Sequence, residues 1–213
     1  MNHLIYLTQQ ATRNFTAILK VLLLLSVGLI LAACSTTKAV NVTQQNQSRT
    51  LQQQIQLQGR ISIQYQQNDQ PQTVIVGYDW LQTPQNLHIS LSSPLGQTIA
   101  TIQQDASGAR LEQAKQEPRV APDIESLLVE NLGWAIPVSG LKAWLQGFDL
   151  TANGQTIALP ATDYYRLQSQ GWQLDFVSWQ ADGGTIHPKR IDLYKNTEQV
   201  GEMKIRIVIE EWQ

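Results

Sequence analysis

The length, composition and charge of the chain set the first limits on its function. It has 213 residues, with 15 Lys and Arg against 17 Asp and Glu, and a formal net charge of −2 at pH 7. Nucleic-acid-binding proteins carry basic patches, and electrostatic binding to anionic lipid also needs an excess of basic residues. This mildly acidic composition argues against both, while the length is ordinary for one domain with a core of its own.

The N-terminal segment predicts a cleavable signal peptide. Arg13 and Lys20 are the only charged residues before position 34, and residues 21–33 form an apolar run that ends in small residues. This order of basic, apolar and small residues is the layout of a secretory signal. The alternative, a transmembrane helix, needs roughly 20 apolar residues, which is more than this run provides.

Cys34 is the predicted lipidation site. The sequence Leu31-Ala32-Ala33-Cys34 resembles the lipobox, in which lipid is added to the cysteine thiol and cleavage falls just before it. Cys34 is the only cysteine, so it has no partner for an internal disulfide. By resemblance to other lipoproteins, Ser35 favours the outer membrane. We therefore predict a signal peptide over residues 1–33, followed by a lipidated N-terminus and flexible polar tether over residues 34–50.

From Ile55 onward, apolar and polar residues alternate with a period of two, which predicts half-buried strands. Short turns such as 68–71 and 83–86 separate the first strands, so neighbouring strands should be antiparallel. A sheet of about ten strands curls or closes, and the fold class is therefore mainly β (α+β). The predicted strands cover residues 55–65, 74–80, 87–91, 99–103, 109–113, 164–167, 172–178, 190–193 and 203–212.

Two helices interrupt the strands near the middle of the chain. Residues 122–133 predict a helix that begins at Pro122 or Asp123 and ends at Gly133. A second, short helix should be capped by Ser139 and ended by Gly147. Their apolar stripes make them the natural cover for the apolar face of the sheet.

The sequence contains no constellation for hydrolysis, redox chemistry, a metal or a cofactor, so we do not expect an enzyme. His88 lies on the polar face of a predicted strand, and His187 precedes Pro188 in a predicted loop. Glu210 and Glu211 are adjacent on a strand and point to opposite faces. Six tryptophans favour either a solid core or a lipid-sized cavity, and composition does not distinguish the two.

Several segments, taken in order behind the lipobox, resemble the LolB family of outer-membrane lipoprotein receptors. They span nearly all of the chain after Cys34. The segments are Gly59-Arg60-Ile61-Ser62, Trp80, Ser93-Pro94-Leu95-Gly96, 136–138, 141–147, 188–191 and 205–212.

This resemblance implies a LolB-like lipoprotein-binding domain over residues 51–213, built as an incomplete antiparallel barrel with a helical lid over an apolar cavity. It implies a monomer, lipid-anchored on the periplasmic face of the outer membrane. The protein would accept lipidated cargo from a LolA-like periplasmic carrier, without a cofactor, and insert it into outer-membrane lipid. The candidate residues for the acyl cavity are Val76, Tyr78, Trp80, Ile89, Leu91, Leu127, Leu128, Trp144, Leu145, Phe176 and Ile207.

The loop after the third predicted strand is the candidate membrane-insertion loop. Pro94 suits the second position of a type I turn and Gly96 the fourth, which leaves Leu95 at the tip. In the family, the leucine of this loop protrudes and helps to release cargo into the membrane. Family members often carry Asn where this chain has Ser93, and both residues suit the start of a turn.

Two alternatives to this function remain open at the level of the sequence. One is a lipid-anchored binder of a small apolar ligand that transfers no cargo. The other is a structural lipoprotein with a solid core. Both share the alternating strands, and only the first shares the cavity.

Overall fold

The computed structural model of the protein describes residues 49–68, 70–151, 153–197 and 201–213. They belong to one compact unit. The predicted signal peptide, Cys34 and the tether as far as residue 48 lie outside the described residues. Within the described ranges, no helix has the length and apolar character needed to cross a membrane.

The described residues form twelve strands and two helices. The first six strands precede the helices and the last six follow them. In chain order the elements are β1 (Ile55–Gln67), β2 (Gln70–Gln82), β3 (Leu87–Ser92), β4 (Thr98–Asp105), β5 (Gly108–Gln113), β6 (Arg119–Ala121), α1 (Ile124–Leu132), α2 (Val138–Trp144), β7 (Phe148–Leu150), β8 (Thr156–Ala158), β9 (Tyr165–Ser169), β10 (Trp172–Asp182), β11 (Thr185–Thr197) and β12 (Gly201–Trp212).

Ten of these strands form one antiparallel sheet in the order β6-β5-β4-β3-β2-β1-β12-β11-β10-β9. The pairing of β1 with β12 joins the two halves of the chain at the centre of the sheet. The edge strands β6 and β9 do not pair with each other, so the sheet curls without closing. Strands β7 and β8 form a separate two-stranded ribbon. The expected mainly β fold, an incomplete barrel with a helical cover, is confirmed.

The period-two pattern gives the sheet one apolar face, because successive side chains on a strand point to opposite sides. On β2, Val76, Tyr78 and Trp80 are buried. Cross-strand pairing continues this inner face from Trp80 to Leu57 on β1 and to Ile89 on β3. The alternating residues of β12 contribute in the same way, and the helices pack on this face.

Gly59 marks an irregularity at the centre of the sheet. The register between β1 and β12 shifts between Gln58 and Gly59. A Cβ atom at Gly59 would lie 2.0 Å from the Val208 carbonyl oxygen, with the Tyr78 ring also in contact at 3.1 Å. Glycine therefore allows β12 and the Tyr78 ring to approach the β1 backbone at this point.

Helix α1 begins and ends as predicted. The Asp123 side chain accepts a hydrogen bond of 2.7 Å from the Ser126 amide, as an N-cap residue does. Gly133 adopts a left-handed conformation, with a φ of 81°, and its amide donates to the Val129 carbonyl. The cap residues are thus the ones that the sequence indicates.

The predicted bounds of α2 are wrong. Pro137, not Ser139, occupies the N-cap position, and the helix ends at Trp144, before Gly147. The Ser139 amide donates to the Glu125 carboxylate of α1 at 2.7 Å. Since a residue of another element satisfies this amide, the helix has no need of a local serine cap.

His187 lies within β11 and not in a loop, as the sequence suggested. The hairpin turn before it takes only Gly183 and Gly184, so the strand starts at Thr185. The imidazole is fully buried, with Nε2 3.0 Å from an Asp182 carboxylate oxygen. Strands β6, β7 and β8 were not predicted, because three residues are too few to show alternation.

Candidate functional site

An apolar cavity of about 910 Å³ lies between the inner face of the sheet and the helical cover. Its wall on the sheet side comes from β1 to β6, β11 and β12. The cover contributes residues from both helices and from the segment that joins them. These are Leu128, Asn131, Leu132, Gly133, Trp134, Ile136, Val138, Leu141 and Leu145.

Most of the predicted cavity residues lie in this wall. Alternation identified those on the strands, because the buried face of a curled sheet is the concave face. The candidate residues that line the cavity are Val76, Tyr78, Trp80, Ile89, Leu91, Leu128, Leu145 and Ile207.

Three of the predicted residues, Leu127, Trp144 and Phe176, do not line the cavity. All are buried in the solid part of the core. Leu127 is adjacent to Leu128 on α1, and neighbouring helix positions point about 100° apart, so only one of them faces the cavity. Trp144 packs over Gly140. The Phe176 ring stacks on the indole ring of Trp179, with 5.8 Å between the ring centroids.

The segment between the two helices was not among the predicted cavity residues. Trp134 and Ile136 both line the cavity. The centroid of the Trp134 ring lies 6.3 Å from that of Tyr65 on β1. No periodic pattern indicated these residues, because they belong to neither a helix nor a strand.

The amide side chains of the wall and its one guanidinium lie at the end of the cavity that we call the mouth. These side chains are Gln66, Gln67, Asn68, Gln113, Gln116, Arg119 and Asn131. Three apolar lining residues, Val74, Ile99 and Leu132, are also exposed to solvent and belong to the mouth.

The register of the sheet places the mouth at the same end as the turn over residues 93–97, which carries Leu95 and which we call the Leu95 loop. Gly77 pairs with Ser92 at the end of β3, so Val74 and the residues before it extend past β3 on the side of this loop. Gln113 pairs with Ala100, which lies near the start of β4. The mouth and the loop are therefore neighbours.

The Leu95 loop is a hydrogen-bonded turn with an apolar tip. The Gly96 amide donates to the Ser93 carbonyl at 2.8 Å, and the Ser93 amide donates to the Gln97 carbonyl at the same distance. Gly96 has a φ of 81°, a conformation that favours glycine. The Leu95 side chain is 89% exposed. The turn thus holds a large apolar side chain out in water.

The cavity wall carries little charge. Burial, with a smaller contribution from Glu210, raises the pKa of Tyr78, so this phenol stays neutral. Its hydroxyl has no hydrogen-bond partner among the described residues. Arg119 is the only charged side chain in the described wall. An acyl chain would therefore meet an uncharged surface over most of its length.

Buried acidic groups lie on the other face of the sheet. Burial alone would raise the pKa of Asp192, but hydrogen bonds from Arg190 and Arg206 outweigh it and lower the pKa to about 2. In the described part of the chain, no group of three or more His, Cys, Asp or Glu side chains could hold a metal ion.

Comparison with known proteins identifies the family. The family model for the outer membrane lipoprotein LolB matches residues 53–212. The chain belongs to the LolB family. It is similar to the LolB of Cupriavidus taiwanensis, with 34% identity over 89% of this chain and 94% of that protein. The LolB of Cupriavidus necator is 32% identical over 87% and 92% of the two chains.

A more distant LolB relative, from Francisella tularensis, is 29% identical over 94% of this chain and 95% of its own. Among solved structures, a LolA superfamily protein from Nitrosomonas europaea matches 74% of this chain and 85% of its own, with 11% identity and a TM-score of 0.39. The expected family and the expected outer-membrane location are confirmed by the LolB matches.

Proposed function

We propose that this LolB-family protein accepts lipidated proteins from a LolA-like periplasmic carrier, holds their acyl chains in its cavity and releases them into the outer membrane. The observation that carries the proposal is the cavity of about 910 Å³ with its apolar wall. Ligand pockets measure roughly 300–1,000 Å³, and this volume lies near the upper end of that range.

A protein host is needed because acyl chains do not cross water readily. Each methylene group that leaves water for an apolar environment gains about 0.8 kcal/mol. Transfer without an energy source must then run downhill, so this cavity should bind acyl chains more tightly than the carrier does. A weaker affinity in this protein than in the carrier would contradict that order.

The Leu95 loop is the proposed exit to the membrane. Its tip is exposed, its backbone is held by the Ser93–Gln97 hydrogen bonds, and it stands next to the cavity mouth. Leu95 would enter the bilayer, while Pro94 and Gly96 shape the turn that presents it. The acyl chains would then leave the cavity close to the point of insertion.

Cys34 is the proposed membrane anchor, and the polar residues that follow it serve as the tether. The anchor would hold the receptor at the membrane where cargo must be delivered. A Cys34→Ala protein should therefore still bind acyl chains, but it should deliver them to outer-membrane and other vesicles without preference.

The proposal is tested by following a fluorescent lipoprotein from its carrier to this protein and then to vesicles. We expect the lipoprotein to leave the carrier when this protein is added, and to enter vesicles only afterwards. Saturable binding of an apolar dye without uptake of lipoprotein would instead support a binder of small apolar ligands. Failure to bind the dye would indicate that the cavity does not take up apolar molecules.

A further inference from the structure

The mouth of the cavity has a distinctive chemistry. Its hydrogen-bonding side chains are primary amides, the Tyr65 phenol and one guanidinium, that of Arg119, and the described lining residues include no carboxylate. Such a set complements oxygen acceptors. It offers no anionic partner to an ammonium group.

The Arg119 guanidinium is oriented by two amide oxygens. One of its terminal nitrogens, Nη1, donates to Asn131 Oδ1, and the other, Nη2, donates to Gln116 Oε1 at 3.2 Å. Asn131 Nδ2 in turn donates to the Leu127 carbonyl at 2.6 Å, which turns Oδ1 towards Arg119. The side chain is therefore held at the rim by neutral groups.

Among the described residues, Arg119 has partners for only some of its N–H donors. No ion pair joins it to a carboxylate among the described residues, in contrast to Arg110, which pairs with Glu112 at 2.7 Å on the neighbouring strand. A guanidinium has five N–H donors, and the two hydrogen bonds to amides leave three without a partner among the described residues.

We propose that this rim, with Arg119 as its central donor, binds the ester and amide carbonyl oxygens that join acyl chains to the terminus of a lipidated protein. The inference rests on the proposed function and extends it. The hydrocarbon would occupy the apolar wall, and the carbonyl groups would stay at the mouth.

This arrangement fixes the direction in which cargo is held. Acyl chains enter by their hydrocarbon ends, since a carbonyl group carried into the apolar wall would lose its hydrogen bonds. The cargo protein then remains outside the cavity. Its linkage lies beside the Leu95 loop, where the transfer to the membrane takes place.

The test compares two probes on the full-length protein. Diphenylhexatriene is a fluorescent hydrocarbon without oxygen, whereas a fluorescent triacylated cysteinyl peptide carries both esters and an amide. Because hydrogen bonds to charged groups are strong, Arg119→Ala should weaken binding of the lipopeptide by roughly tenfold or more and should leave diphenylhexatriene within about twofold of the wild type. Arg119→Lys keeps the positive charge but loses the planar set of donors, so its affinity for the lipopeptide should lie between those of the wild type and Arg119→Ala.

Arg110→Ala is the matched control, because Arg110 is an exposed arginine of the same sheet that does not line the cavity. It should bind both probes as the wild type does. An equal loss of both probes in Arg119→Ala would show that the residue only supports α1, and would overturn the assignment. Unchanged lipopeptide binding would overturn it too. If the wild type bound neither probe, the proposed function would fail as well.

Discussion

The substitution Leu95→Glu separates insertion from binding. Leu95 stands at the tip of the turn after β3, and its side chain contacts mainly solvent. We expect the variant to fold, to take lipoprotein from the carrier and to hold it. The release of cargo into vesicles should slow, because a carboxylate would replace the apolar group that we propose enters the bilayer.

The expected slowing of release can be worked out from the exposure of the Leu95 side chain. Full burial of a leucine gains about 1.5–3 kcal/mol, and with 89% of the side chain exposed, nearly all of this gain is available to membrane insertion. Its loss alone slows release by roughly 10- to 100-fold. The charge adds a further penalty in the same direction. The free energy of unfolding should change by less than about 0.5 kcal/mol, as for other exposed positions.

The assay measures three quantities on one preparation: the melting temperature, the uptake of lipoprotein from the carrier and its release into vesicles. Ile157→Glu is the control, since Ile157 is a large exposed residue of β8 that does not line the cavity. It should release cargo at the normal rate. Normal release by Leu95→Glu, or equally slow release by both variants, would refute the role of the loop.

Three further substitutions or conditions test the fold and the cavity. Ala100→Phe places a ring in the cavity and should weaken acyl binding roughly tenfold, since about two methylenes of the ligand lose their contacts. Titration with a fluorescent apolar dye measures this affinity. An unchanged affinity would contradict the proposed location of the ligand. Gly59→Ala should destabilise the protein by roughly 2–3 kcal/mol in urea unfolding, because the Cβ atom would meet the Val208 carbonyl. Burial lowers the pKa of His187 despite its hydrogen bonds. Protonation of His187 therefore favours the unfolded chain, and the free energy of unfolding of the wild type should fall as pH drops below about 6.5. In His187→Gln this free energy should fall less steeply.

Local sequence signals predicted the parts of the fold that depend on local interactions. The alternation from Ile55 determined both the strand β1 and its buried face. The Ser93–Gly96 turn was readable because Pro94 and Gly96 suit defined turn positions. Asp123 and Gly133 were recognisable as the ends of α1 for a similar reason, since each acts within one turn of the helix. The Asp123 side chain accepts a hydrogen bond from an amide of the first turn, and Gly133 adopts the left-handed conformation that ends the helix.

Features that depend on packing were beyond the reach of these signals. Leu127 and Leu128 are identical residues in the same helix, and only the angle at which α1 meets the sheet decides which one lines the cavity. Arg119 gave no sequence signal, because its proposed role follows from its position beside Asn131 on another element. Alternating strands are also compatible with a filled core, so the cavity itself needed the structure.

The position of the mouth bears on the rate of transfer as well as on its direction. An acyl chain that leaves the cavity exposes methylenes to water, and each one raises the barrier by up to about 0.8 kcal/mol. Val74, Ile99 and Leu132 are apolar and exposed at the mouth, and Ile99 lies four residues after Leu95. The acyl chain could thus pass from the cavity wall to the mouth and on to the tip of the Leu95 loop along apolar surface. If that tip lies in the bilayer, only a short part of the chain meets water at any time, which explains why an exposed leucine belongs beside the opening.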